Sequence, residues 1–174
     1  RMSGILLDVD DKKKLSEKLA SSEKQYKSLV DNTPVGIMAC DNSGRITHVN
    51  KKLLEILGSP SEEATKQLNV FEFVRLRESG ISGDFVECFR TGRIISREVP
   101  YISKWGRESC LKCLLVPIRN EKGAVDRVQA LIEDIIEQKK IEKQRSEVEA
   151  EQRQQQKLES VGILASGVAH EINN

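Results

Sequence analysis

A chain of 174 residues has room for one ordinary domain of about 100 to 150 residues plus flanking helices, and its 38% hydrophobic and 32% charged residues suit a small core with long solvated arms. A net charge of +1, with basic residues interleaved among acids, gives no electrostatic reason to bind nucleic acid or an anionic membrane, so neither partner is expected. Four cysteines without a secretion signal argue against a disulfide scaffold. The best apolar run, Val161 to Ala169, falls short of the roughly 18 to 20 residues that span a bilayer. A soluble, cytoplasmic segment is expected. An anchor elsewhere in a longer protein stays open, because the chain starts at Arg1-Met2 in mid-pattern and stops at Asn174 within a helical one.

At the N-terminus, Leu7-Asp8-Val9-Asp10 running into Asp11-Lys12-Lys13-Lys14-Leu15 echoes Glu133-Asp134-Ile135-Ile136 running into Glu137-Gln138-Lys139-Lys140-Ile141. If the echo is genuine, residues 1–10 are the end of a preceding domain of the same type. Residues 11–30 follow as a linker helix. Leu15, Leu19, Ser22, Tyr26 and Leu29 keep the spacing of a coiled-coil seam, although a lone amphipathic helix fits equally. Thr33-Pro34 ends it, since proline disfavours a helical conformation in the residue before it.

Residues 31–136 read as the folded domain. Val35 to Cys40 and Arg45 to Val49 flank the turn Asp41-Asn42-Ser43-Gly44 and form a hairpin. Asn50 suits the N-cap of a helix over Lys51 to Leu57, Gly58 its stop, and Ser61 with Glu62-Glu63 starts another short helix. A third helix covers Gly83 to Thr91, with Phe85, Val86, Cys88 and Phe89 roughly on one face. Three β-rich runs follow, Arg93 to Ser103, Arg107 to Arg119 and Ala124 to Asp134. The predicted order is β-β-α-α-α-β-β-β: an α+β fold, with five antiparallel strands and helices on one face. Leu114-Leu115-Val116 is apolar on both faces of its strand, so a cover over the outer face is expected from the helix around Tyr26 and Leu29 or from a partner subunit.

Glu137 to Asn174 contains no Pro and can run as one helix. Residues 137–157 form a polar linker with a sparse seam at Ile141 and Val148; Leu158, Val161, Ala165, Val168 and Ile172 resume apolar spacing in another phase. A linker specified this weakly is easily biased from upstream.

The hairpin Cys40-Asp41-Asn42-Ser43-Gly44-Arg45-Ile46, the segment His48-Val49-Asn50, Leu57-Gly58-Ser59-Pro60-Ser61-Glu62-Glu63 and Val116-Pro117-Ile118-Arg119, in this order, resemble a PAS domain over about residues 22 to 136. At its end, Asp134-Ile135-Ile136-Glu137 has Ile where the family carries Thr. Leu158 to Asn174, with the core Ala169-His170-Glu171-Ile172-Asn173-Asn174, resembles the H-box of a histidine kinase dimerisation domain, here its first helix over 158–174. The resemblance implies a sensor histidine kinase: His170 as phosphoacceptor attacking the γ-phosphate of ATP, Glu171 as the acid/base group on the other ring nitrogen, and Asn174 positioning water in phosphatase action. It implies a parallel homodimer, a response regulator receiver domain as partner, and ATP and Mg held by a separate ATP-binding domain, since no Gly-rich nucleotide-binding segment occurs in this chain. The rival reading is a PAS interaction module whose helix only dimerises.

Other signals support no site. Cys110 and Cys113 lie three apart on a strand and point to opposite faces, so structural cysteines are expected rather than a metal pair. His48 lacks a second ligand at usable spacing. The helix ending at Thr91 contains no His, and no light-sensing cysteine motif is recognisable, so neither haem nor flavin is expected, although a small apolar pocket is.

Overall fold

The computed structural model describes residues 17–19, 21–22, 24–25 and 27–172, with side chains described to residue 157. Residues 1–10, Leu15, Tyr26 and Asn174 therefore lie outside the described residues. The chain divides into two compact units, Arg1–Asp134 and Ile135–Asn174.

In the first unit, β1 (Gly36–Asp41) and β2 (Ile46–Val49) form the N-terminal hairpin. Its turn is set by Asp41, whose Oδ1 accepts the Ser43 and Arg45 amides at 2.9 and 3.0 Å and the Ser43 hydroxyl at 2.6 Å. Gly44 closes the turn at φ +78°, a conformation that a side chain would strain. Four helices follow, α1 (Lys51–Leu57), α2 (Glu62–Lys66), α3 (Val74–Glu78) and α4 (Ile81–Thr91), and then β3 (Ile95–Ile102), β4 (Glu108–Arg119) and β5 (Val125–Asp134). The expected order lacked α3, a single turn with no side-chain cap and no fully buried residue. A helix that short carries too little periodicity to show in a sequence.

The strands pair antiparallel in the order β2-β1-β5-β4-β3, so the last strand inserts beside the first. Register aligns Met38 with Ala130 and Ala130 with Leu115 across the sheet centre. Met38, Cys40, Leu111, Cys113, Leu115, Val128, Ala130 and Ile132 turn inward against Leu53 and Ile56 of α1 and Phe85 and Cys88 of α4, making one core. Gly36 lets β1 meet α1, because a Cβ there would stand 3.1 Å from both the Ile132 carbonyl oxygen and Leu53 Cα.

Two expectations about faces are corrected. Val86 is 51% exposed although Phe85 and Cys88 are buried, because α4 settles on a face centred between Phe85 and Cys88, with Ile81 and Asp84 beside them. Leu29, expected to help cover the outer sheet face, is 73% exposed, so the described part of the N-terminal helix does not bury it.

The second unit is one helix, α5 (Ile136–Ile172). Ile141 and Val148 stand exposed on it, and Glu137–Lys140 and Arg145–Glu149 ion pairs support its polar surface.

Candidate functional site

Two places are candidates for a site. In the first unit a chamber of about 40 Å³ sits between the sheet and the helices, lined by apolar side chains from β1, α1, α3, α4 and β4, with Thr65 and Tyr101 among the polar groups. One water needs about 10 to 15 Å³, so the chamber has room for a ligand of only a few heavy atoms. Thr65 spends its hydroxyl on Ser59 Oγ at 2.7 Å and the Ser61 carbonyl at 3.3 Å. Burial pushes the Tyr101 phenol and the Cys40 and Cys113 thiols up to about 12. All three stay protonated at neutral pH and behave as packing groups rather than nucleophiles or metal ligands.

Beside the chamber, Asp84 on α4 is held by Arg97 of β3, whose Nε donates to Oδ2 and whose Nη2 donates to Oδ1 at 2.7 Å. The carboxylate is 9% exposed and the guanidinium 42%. That pairing raises the Arg97 pKa further. A groove of about 260 Å³ lies between α3 and β3, lined by Arg75, Glu78, Ser79, Pro100, Tyr101 and Ile102. Tyr101 thus lines both the chamber and the groove.

Asn50 ties the domain to the segment that precedes it. Its Oδ1 accepts the Leu53 amide at 3.0 Å, capping α1, and the Ile37 amide at 2.8 Å; its Nδ2 donates to the Val30 and Val35 carbonyls at 2.9 and 3.0 Å. The residue is 1% exposed, so these four bonds satisfy every hydrogen-bonding position of a buried amide.

The second place is the end of α5. His170 and Glu171 are consecutive residues of this helix, and Asn174 lies outside the described residues. Cys110 is half-buried and Cys113 buried, as opposite strand faces require. His48 is exposed on β2, and among the described residues no group of three or more potential ligands could hold a metal ion. No described helix is long and apolar enough to cross a membrane.

Neither Arg75 nor Tyr101 stands out in the local sequence pattern. Asp84 could have been found, because an acid within the apolar face between Ile81, Phe85 and Cys88 requires a buried partner.

A five-stranded antiparallel sheet in this order, with helices over one face, is the fold of several solved PAS domains. The PAS domain of an HTR-like protein from Haloarcula marismortui superposes with a TM-score of 0.58 at 21% identity, over 71% of this chain and 99% of that one. A PAS domain from Colwellia psychrerythraea superposes with a TM-score of 0.57 at 21% identity, over 66% of this chain and 97% of that one. The PAS domain family profile matches residues 34–137, and the chain belongs to that family. It is also similar to Sporulation kinase E of Bacillus subtilis (strain 168), at 26% identity over 98% of this chain and 21% of the relative. Sensor kinase CckA of Brucella abortus (strain 2308) is 23% identical over 98% of this chain and 18% of the relative. The chain spans about a fifth of the length of these curated relatives.

Proposed function

We propose that this chain is the sensory and signal-transmitting part of a sensor histidine kinase, in which the PAS domain regulates ATP-dependent phosphorylation of His170 and onward transfer to a receiver-domain Asp. The observation that carries the reading is the H-box-like run Leu158 to Asn174 at the end of α5, which is unbroken from Ile136 to Ile172. Similarity to two proteins named as kinases, extending over 98% of the chain, supports it.

The helix supplies position and the imidazole supplies the nucleophile. A neutral ring nitrogen attacks the γ-phosphorus of ATP as the bond from that phosphorus to the bridging oxygen breaks and ADP leaves, and Glu171 takes up or orients the proton on the opposite nitrogen. ATP and Mg are held by a separate ATP-binding domain. The helix acts as one strand of a parallel homodimer, for which exposed Ile141 and Val148, seven residues apart, provide seam positions. The PAS chamber, apolar and about 40 Å³ in volume, would take a small apolar signal; neither haem nor flavin is proposed, since the helix ending at Thr91 carries no His and no light-sensing cysteine motif is recognisable. The whole assembly works in the cytoplasm, whether or not an anchor precedes it.

Mixed with a compatible ATP-binding domain and labelled Mg-ATP, the chain should acquire an acid-labile, base-stable phosphate, and His170→Gln should abolish it because an amide is no substitute for the imidazole nucleophile. Label surviving in His170→Gln would overturn the reading and leave a PAS interaction module. Light scattering at tens of micromolar should give the dimer mass.

A further inference from the structure

We propose that α3 is a door to the apolar chamber and Tyr101 its inner latch, so that small apolar molecules pass between α3 and β3. Several walls of the chamber are fastened. Its floor is the β1-β5-β4 ladder, closed by continuous antiparallel pairing. On its other sides, α1 is capped by Asn50 and buries Leu53 and Ile56, while α4 buries Phe85 and Cys88 and is fastened to β3 through Asp84.

The third helix is built differently. It spans five residues, receives no side-chain cap from Phe73 and buries no residue fully. One of its residues, Leu76, lines the chamber, while the adjacent Arg75 lines the outer groove, so a single turn separates inside from outside. The hydrogen bond that fastens this turn to β3 runs from Arg75 Nη1 to the Ile102 carbonyl at 3.3 Å. Pro100, two residues before Ile102 on the strand, has no N–H to add a second such bond.

At its C-terminal end α3 passes into α4 through Gly80, whose φ of +81° is open to glycine and allows the turn to swing on a backbone without a side chain. Short, weakly anchored elements are where local opening concentrates. Tyr101, next to Ile102 on β3, borders both spaces and is buried, so it stands at the passage while α3 is closed.

The passenger is defined by the chamber: a volume of about 40 Å³ with apolar walls accepts an uncharged apolar molecule of a few heavy atoms. This inference serves the sensory reading but does not depend on phosphotransfer, so the two can fail separately.

Xenon is the appropriate probe, being apolar, monatomic and able to occupy dry apolar cavities. Xenon-129 NMR on the whole chain should show saturable binding in slow to intermediate exchange. Arg75→Gln should raise the exchange rate about fivefold or more, the effect of removing one charge-assisted hydrogen bond from the closed state, and leave the dissociation constant within about twofold. Tyr101→Leu should also accelerate exchange. Arg107→Gln breaks a comparable arginine-to-carbonyl bond, from Arg107 Nη1 to Glu55 O at 2.8 Å, away from the groove and should leave the rate unchanged. The proposal is overturned by absence of saturable xenon binding, by an exchange rate indifferent to both Arg75→Gln and Tyr101→Leu, or by equal acceleration in Arg107→Gln, which would signify general loosening.

Discussion

Arg97 reaches from β3 to α4 and grips Asp84 with two nitrogen atoms, Nη2 meeting Oδ1 at 2.7 Å while Nε donates to Oδ2. The pair crosses from the sheet to the helix that lies over it, so it fixes where α4 rests on the core. Asp84 is the dependent partner, with 9% of its side chain exposed against 42% for Arg97.

Removing the arginine should therefore cost more than a surface ion pair is worth. Arg97→Ala strands a carboxylate that is nearly out of water, with an expected loss of about 2 to 4 kcal/mol, somewhat below a fully buried pair because the guanidinium is partly solvated. The double variant Asp84→Leu with Arg97→Met should recover most of that, since apolar side chains of similar size need no partner. Urea unfolding of the single and double variants measures this. A loss of under about 0.5 kcal/mol in Arg97→Ala would show that the pair is solvated in solution.

Asn50 separates two roles that one substitution can dissect. Asn50→Ala removes the α1 cap and leaves the Ile37 amide without its side-chain acceptor, an expected cost of about 2 to 4 kcal/mol. Asn50→Asp keeps both acceptor contacts and loses the donors to Val30 and Val35. Hydrogen exchange should then rise in residues 27–35 while α1 stays protected. Equal deprotection of both regions would mean that Asn50 does not act as a separable clamp.

Much of this architecture is legible in the sequence, and the reasons are local. The Asp41 turn, the Asn50 cap and the Gly58 stop, where φ is +65°, depend on residues within a few positions of one another. Strand count and helix placement followed from periodicity and turn chemistry. What escaped was set by packing at long range. The insertion of β5 between β1 and β4 is not written in any one strand. The α3 turn is too short to show a period, and the meeting of Arg75 with Ile102 joins residues 27 apart in sequence. Leu158 to Asn174 was legible as a run of residue types, and the phosphotransfer proposed for it depends on a nucleotide-binding domain that local sequence cannot supply.

The turn around Asp41 makes a pH prediction. Hydrogen bonds from Ser43, chiefly its hydroxyl, and then from the Arg45 amide hold the Asp41 carboxyl below the usual carboxylate range. The folded state binds this proton more weakly than the unfolded chain does. The stabilisation is therefore complete above the ordinary aspartate value, near pH 4, and is lost as pH falls through the lower folded value. Asp41→Asn should flatten the acid limb of the stability curve below about pH 4 and change its slope little at neutral pH. Chemical denaturation from pH 2 to 7 tests this. An unchanged acid slope in Asp41→Asn would show that other carboxylates govern acid unfolding.

The last prediction divides the labour at the end of α5 and rests on the phosphotransfer proposal. In that proposal Glu171 handles the proton on the ring nitrogen that does not attack, so its charge matters to the rate and not to the fold. Glu171→Gln should slow labelling of His170 by about 10²-fold or more, the scale of losing a positioned acid–base group, while far-ultraviolet circular dichroism of the helix stays the same. In the same proposal the amide of Asn174, four residues beyond His170 in sequence, orients water for attack on a phosphorylated receiver Asp and has no part in accepting phosphate from ATP. Asn174→Ala should leave labelling within about twofold and slow dephosphorylation of the receiver domain by about tenfold or more, the scale on which misplaced reacting groups are penalised. A pulse-chase assay with labelled receiver domain separates these steps. Should Asn174→Ala depress labelling as strongly as Glu171→Gln does, the two residues would share one role in the forward reaction, and the assignment of water positioning to Asn174 would fall.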